Sequence, residues 1–140
     1  MADIAKKSTG VRPIGIPGDY EQVESKLGEV LAAGDLVRFD TATGFFTGAN
    51  ATSAAEANWV GILLTGGIAG EYATAIEKGE VEGFDLSGRS FGDPIFASNT
   101  DKALADAAGT TSAIVGRVYP ARAGSIGTAN FDKILKVGVR

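Results

Sequence analysis

The chain contains no histidine and no cysteine among its 140 residues. Acid–base and ligand chemistry therefore falls to its 17 carboxylates. Two of these share a context. Asp35 and Asp93 each follow a glycine and precede an apolar position, in Gly34-Asp35-Leu36-Val37 and Gly92-Asp93-Pro94-Ile95. Two carboxylates about 5 to 10 Å apart, flanking an aromatic-lined cleft, are the machinery of glycoside hydrolysis. The same dipeptide also makes a tight turn whose carboxylate accepts nearby backbone N–H groups. Equivalent positions argue for equivalent structural roles, so Gly34, Asp35, Gly92 and Asp93 are read as turn residues. A second group, Glu77, Glu80, Glu82 and Asp85, has the hard oxygen donors that calcium prefers. It lacks an ordered Asp-x-Asp-x-Asp-Gly loop and reads as a solvated hairpin tip.

The remaining motifs carry less. Gly66-Gly67-Ile68-Ala69-Gly70 has no Gly-Lys-Ser/Thr and no helix pattern after it, so it reads as a turn, not a phosphate loop. Ser125, in Ala123-Gly124-Ser125-Ile126-Gly127, lacks the first glycine of a nucleophile elbow and any histidine to activate it. Asn50-Ala51-Thr52 fits a glycosylation sequon, with nothing to route the chain to a secretory pathway. The two missing residue types exclude disulfide scaffolds, Cys/His zinc sites, thiol nucleophiles and Ser-His-Asp triads. No catalytic residue, metal or cofactor is expected.

The charge balance is mild, 13 basic against 17 acidic residues for a net −4. No basic run is longer than Lys6-Lys7, so a nucleic-acid partner is not expected. No apolar stretch approaches the roughly 18 residues of a membrane helix. The opening Met1-Ala2-Asp3-Ile4-Ala5-Lys6-Lys7 has no apolar signal core, which predicts a chain made in a cytoplasm.

The elements that must hold these residues follow from side-chain shape. Val, Ile and Thr number 31, against 9 for Leu and Met, and β-branched side chains suit a pleated sheet. Recurrent glycines cut the chain into short segments. An all-β fold follows: a compact β-barrel or β-sandwich, jelly-roll-like, with at most one or two short helices. Residues 1–19, with Gly10, Pro13, Gly15, Pro17 and Gly18, read as an extended N-terminal arm, and residues 20–140 as a single β domain. Val23, Leu27, Val30 and Leu31 have helical spacing, which predicts a helix over 20–33 stopped by Gly34. Strands are expected at 35–40, 45–47, 59–64, 71–77, 91–97, 113–119 and 133–139. Lys78-Gly79-Glu80 is expected to turn a hairpin into Val81-Glu82-Gly83-Phe84. The last strand should bury one face. Ala51 to Asn58 fits a short helix or a loop.

Two stretches follow one plan. Gly34-Asp35-Leu36-Val37 leads to Val60-Gly61-Ile62, and Gly92-Asp93-Pro94-Ile95 leads to Val115-Gly116-Arg117. A glycine inside a strand marks a bulge or a close backbone approach. The plan suits a β body of two similar halves.

The ordered set is Ala33-Gly34-Asp35-Leu36-Val37, Val60-Gly61-Ile62, Gly70-Glu71-Tyr72, Lys78-Gly79-Glu80-Val81, Gly92-Asp93-Pro94-Ile95-Phe96, Ile114-Val115-Gly116-Arg117-Val118 and Ile134-Leu135-Lys136-Val137. Over about residues 27–139 it resembles the small decoration, or cement, proteins of tailed-bacteriophage capsids. Residues 1–26 fall outside the resemblance. It implies a non-enzymatic structural virion protein, made in the host bacterial cytoplasm and bound to the outer capsid surface. Its implied partners are the major capsid protein and itself, as a homodimer or homotrimer at a capsid symmetry axis. The alternative is a carbohydrate- or receptor-binding β-sandwich module of a virion.

The residues expected at such an interface are Val11, Arg12, Pro13, Ile14, Ile16 and Tyr20 of the arm, with Phe45 and Phe46. Pro13 and Pro17 lower the entropy lost when an extended segment docks. The arm is expected to lie along a neighbouring subunit, with Arg12 pairing a carboxylate. Adjacent Phe45 and Phe46 point to opposite faces of a strand. One of them needs cover from outside the main core, unless the strand is buried on both sides.

Overall fold

A computed structural model describes residues 2–16, 18–121 and 133–138. The fold is all-β. Ten strands form one curled antiparallel sheet, and the only helical turn among the described residues is a 3-10 turn at Ser8–Gly10. The strands are β1 (Arg12–Pro13), β2 (Glu21–Lys26), β3 (Leu36–Phe39), β4 (Phe46–Gly48), β5 (Gly61–Leu63), β6 (Tyr72–Glu82), β7 (Pro94–Ala97), β8 (Leu104–Ala105), β9 (Ile114–Pro120) and β10 (Lys133–Val137). The order across the sheet is β4-β3-β5-β6-β10-β9-β7-β8, with β1 and β2 also paired to β6.

That order is a palindrome about the β6–β10 seam, and the two halves match residue by residue. Val37 faces Gly48 and Arg38 faces Thr47; 58 positions later, Phe96 faces Ala105 (38 to 96, 47 to 105). Gly34 N–H donates to Leu63 O at 2.8 Å, and Gly92 N–H to Val118 O at 2.8 Å. Leu63 N–H donates back to Asp35 O, and Val118 N–H to Asp93 O. Even the turn conformations correspond: Gly44 has φ +75, and Lys102, 58 positions on, has φ +68. The left-handed region suits glycine, so Lys102 carries strain that Gly44 does not.

Close approach is built into both halves. A Cβ on Gly61 would lie 2.6 Å from Ile76 O, and a Cβ on Gly116 would collide with Lys136 O. Each glycine thus lets its strand press on the next, β5 on β6 and β9 on β10.

Period-2 alternation divides the core. Leu36, Ile62 and Ile76 join a large cluster with Ile95, Val115 and Leu135. Their neighbours Val37, Leu63 and Ala75 join a second with Leu27, Leu31 and Phe46. The sheet is covered on both faces here, which is why Trp59 to Leu64 reads as a continuous apolar run.

Several expectations fail. Residues 20–33 are not helical. Glu21–Lys26 is β2, paired with the first half of β6 from Glu21↔Lys78 to Lys26↔Tyr72. Leu27 and Leu31 are buried through bridges to Phe46 and Gly67, while Val30 is 67% exposed. Pairing of a long strand edge outweighs a helix periodicity weakened by Gly28. Lys78-Gly79-Glu80 makes no hairpin, because β6 runs through it as one 11-residue strand. The last strand does bury the expected face, Leu135 and Val137, and it buries Ile134 on the other face beside the half-buried Lys136. Of the two alternatives for Ala51 to Asn58, the loop is found: residues 51–57 form bends and turns.

The expected arm is part of the body. Asp3 bridges Ala105, Lys6 bridges Phe84, and β1 pairs with β6 at Arg12↔Glu82 and Pro13↔Val81. Val11 and Ile14 are buried at 8% and 2% exposure. Sheet edges offer unpaired N–H and C=O groups. The N-terminal residues satisfy them on this subunit rather than on another: a strap, residues 2–14, crosses from β8 to β6.

Candidate interaction surface

Four turns share one construction. Ala32, Ile68 and Ser90 donate their N–H groups to the carboxylates of Asp35 (2.8 Å), Glu71 (2.8 Å) and Asp93 (2.9 Å), each three residues ahead. Ile16 N–H does the same to Asp19 at 3.1 Å. In each turn the acidic residue's own N–H returns to the first residue's carbonyl. The glycine before the acid has positive φ: Gly18 +109, Gly34 +91, Gly70 +93, Gly92 +87. This is a type II turn locked by an acid at its fourth position. β2, β3, β6 and β7 each start one or two residues later.

The carboxylates that could have done chemistry are occupied by structure. Asp35, 7% exposed, accepts the Lys6 ammonium, which also donates to Ala33 O at 3.2 Å. That contact latches the strap to the β3 turn. Glu82, 6% exposed, lies 3.2 Å from Arg12 Nε. The carboxylate paired with Arg12 is therefore the chain's own. Asp85 accepts the hydroxyl and N–H of Ser87, and these bonds hold its carboxyl below the ordinary aspartate value. Glu77 is exposed at the irregularity where the β2–β6 register shifts between Lys78 and Ile76. Among the described residues no group of three or more acidic side chains could hold a metal ion. Ser125 lies outside the described residues. No helix among the described residues is long and apolar enough to cross a membrane.

The expected interface residues are scattered in burial. Val11, Ile14 and Phe46 are in the core, and Arg12, Pro13, Tyr20 and Phe45 are half-buried. Phe46 stacks on Phe39, ring centroids 5.7 Å apart, and the Lys26 ammonium lies 6.0 Å over Phe45. Phe46 thus finds its cover inside the subunit. Only Ile16 stands out, 70% exposed.

The sequence pattern does not disclose the rest of the exposed apolar surface. Val30 (67%), Tyr72 (66%), Ile68 (62%), Phe91 (55%) and Phe39 (39%) are open to solvent. Leu31 and Gly67 exchange both backbone hydrogen bonds, so Val30 and Ile68 are the next facing pair on the outward side. Tyr72 faces Lys26 in the adjoining β2–β6 ladder, with the Lys26 ammonium 5.4 Å over its ring. The signal emerges only once residues 27–31 are seen as paired. A helix over 20–33 puts Val30 on the buried stripe with Leu27 and Leu31. The groove of about 450 Å³ near Trp59 is lined by Val23, Phe39, Val60, Glu77, Lys78 and Gly138. Trp59 itself is 8% exposed, too covered to serve as a stacking platform for a sugar ring.

The Val30 loop is pinned from beneath by Glu29. Burial works to raise its pKa, but the Gly48 N–H (3.0 Å), the Thr47 hydroxyl (2.7 Å) and the Lys102 ammonium (3.6 Å) outweigh it. The net effect holds Glu29 below its ordinary 4.5. A depressed folded-state pKa adds stability above the unfolded value and loses it as pH falls through the folded one. Urea midpoints followed from pH 6 downward should therefore fall below about pH 4.5. Glu29→Gln should flatten part of that fall. An unchanged pH profile in the variant would show that the cross-link contributes nothing.

No family model, curated protein or solved structure matches this chain.

Proposed function

We propose that the protein is a non-catalytic structural component of a phage particle. It binds the outside of an assembled head and stabilises contacts between major capsid subunits. One observation carries this reading: Val30, Ile68 and Tyr72 are exposed apolar side chains on hydrogen-bonded turns and strand ends. Isolated exposed apolar residues are ordinary, whereas Val30 and Ile68, flanking one bridge on its open side, are together suited to partner contact. The ordered Gly-Asp and Val-Gly motifs, with their resemblance to decoration proteins, supply the class of partner.

Adhesion needs rigidity more than reactivity, and many weak sites on one particle add through avidity. Co-sedimentation of the purified protein with empty heads tests the reading. The wild type should saturate the heads. Val30→Asp/Ile68→Asp, with an unchanged thermal melt, should lose at least about tenfold in affinity, which corresponds to about 1.4 kcal/mol. Wild-type protein that stays in the supernatant at every concentration would refute the reading.

A further inference from the structure

We infer that the N-terminal strap is exchangeable between two copies of this chain. In the exchanged form, residues 2–14 of one copy occupy the groove along β8 and β6 of the other. The inference rests on strap geometry and does not depend on binding to a phage head.

The groove defines its own occupant. Ile4 N–H donates to Leu104 O (2.9 Å), Lys7 N–H to Gly83 O (2.9 Å) and Ile14 N–H to Glu80 O (2.9 Å). Val11 and Ile14 fill the core, and Lys6 reaches Asp35. All of these contacts are non-covalent and complementary to one sequence, so the strap of a second copy meets the same partners. Strap and body are joined by a short connection, where Gly15, Ile16, Gly18 and Asp19 are exposed and both glycines have positive φ. Re-extension there breaks the turn held by the Ile16–Asp19 hydrogen bonds and leaves the body's core intact, and exchange of an identical element through a short connection is a low-cost route to a dimer. Ile16, the most exposed of the large apolar side chains among the described residues at 70%, sits at the crossing point, where two connections would run side by side and cover each other.

Closed and exchanged forms share their strap contacts, so concentration decides between them. A tethered strap sees its own groove at about millimolar effective concentration. The closed monomer therefore dominates in dilute solution, and crowding of copies favours exchange.

The absence of native cysteine makes a direct test possible. Arg12 and Glu82 face each other in register. Full-length Arg12→Cys and Glu82→Cys proteins, each checked for a wild-type melt, are mixed at concentrations from micromolar to millimolar and oxidised. Exchange predicts a mixed disulfide dimer that grows with concentration and exceeds the dimer formed by either variant alone. A mixed dimer no more abundant than the single-variant controls would overturn the inference. Light scattering of the full-length wild type at millimolar concentration should give a mass above the 14.3 kDa of one chain. A wild type that stays at the mass of one chain there would also overturn it.

Discussion

Gly116→Ala is expected to remove about 3 kcal/mol of stability, the upper end of the usual cost of overpacking a core. The added methyl has nowhere to go. Its Cβ would collide with the backbone oxygen of Lys136 and stand 3.1 Å from Leu135 Cδ1. A flexible side-chain end could swing aside; a carbonyl in the β9–β10 ladder can do so only by opening the ladder. Gly61→Ala should be nearly as damaging, since Ile76 O would be 2.6 Å away in the matching seam. Combining the two should remove about 6 kcal/mol, enough to unfold a domain at the lower end of the ordinary margin of about 5 to 15 kcal/mol. Gly88→Ala is the control: nothing lies within 4 Å of its Cβ, and its effect should stay within about 0.5 kcal/mol. Urea titrations followed by the fluorescence of Trp59, the single tryptophan, report all four proteins. A Gly116→Ala midpoint equal to that of Gly88→Ala would show that the two strands are not in close contact.

The second large effect belongs to the strap. Ile14 is 2% exposed, and Ile14→Ala should cost about 2 to 4 kcal/mol through lost burial and the cavity left behind. Deleting residues 1–14 should go further. It removes two core side chains, leaves Asp35 without its lysine, and bares the edges of β8 and β6. An uncovered edge is a template for aggregation. The truncated chain should lose cooperative unfolding and be recovered mainly as aggregate. A soluble truncated protein with the wild-type melting temperature would instead mean that these residues are a detachable arm.

The contrast between those two regions says what a sequence of this kind discloses. The Gly-Asp turns were legible because their chemistry is local. The acid and the N–H it accepts are three residues apart, and the glycine between them advertises its backbone conformation. Gly61 and Gly116 were legible for a related reason, since a glycine within a run of Val and Ile marks a place where a neighbouring backbone comes close. The two-half plan then follows from local signals repeated in order. What stayed hidden is pairing at a distance. Nothing near Val11 or Ile14 states that β6 and β8 have open edges, so an apolar, proline-bearing segment looks like an arm for another molecule. Val23, Leu27, Val30 and Leu31 have helical spacing by themselves. Only the empty edge of β6, some 50 residues later, makes strand pairing the better use of Glu21–Lys26. The exposed Val30–Ile68 pair is hidden by the same helical spacing. Phe46 was misjudged because its cover comes from Leu27 and Phe39, neither of them adjacent to it in the chain.

The strap also sets a timetable. Ala2 donates its N–H to Asp106, 104 residues further along, and Ile4 to Leu104. A ribosome adding about 5 to 20 residues per second needs roughly 5 to 20 s to make up that interval. Through all of it Ala2 and Ile4 lack these partners. The β2–β6 portion can assemble while synthesis continues, but closure across β8 waits until the chain is three-quarters complete. The β6 end of the strap can therefore dock once Gly83 has been made, while its β8 end waits for Leu104 and Asp106. A strap whose β8 end stays unpaired for seconds is held to its own groove by the tether alone, and crowding of copies on one polysome raises the competition from a neighbour's groove.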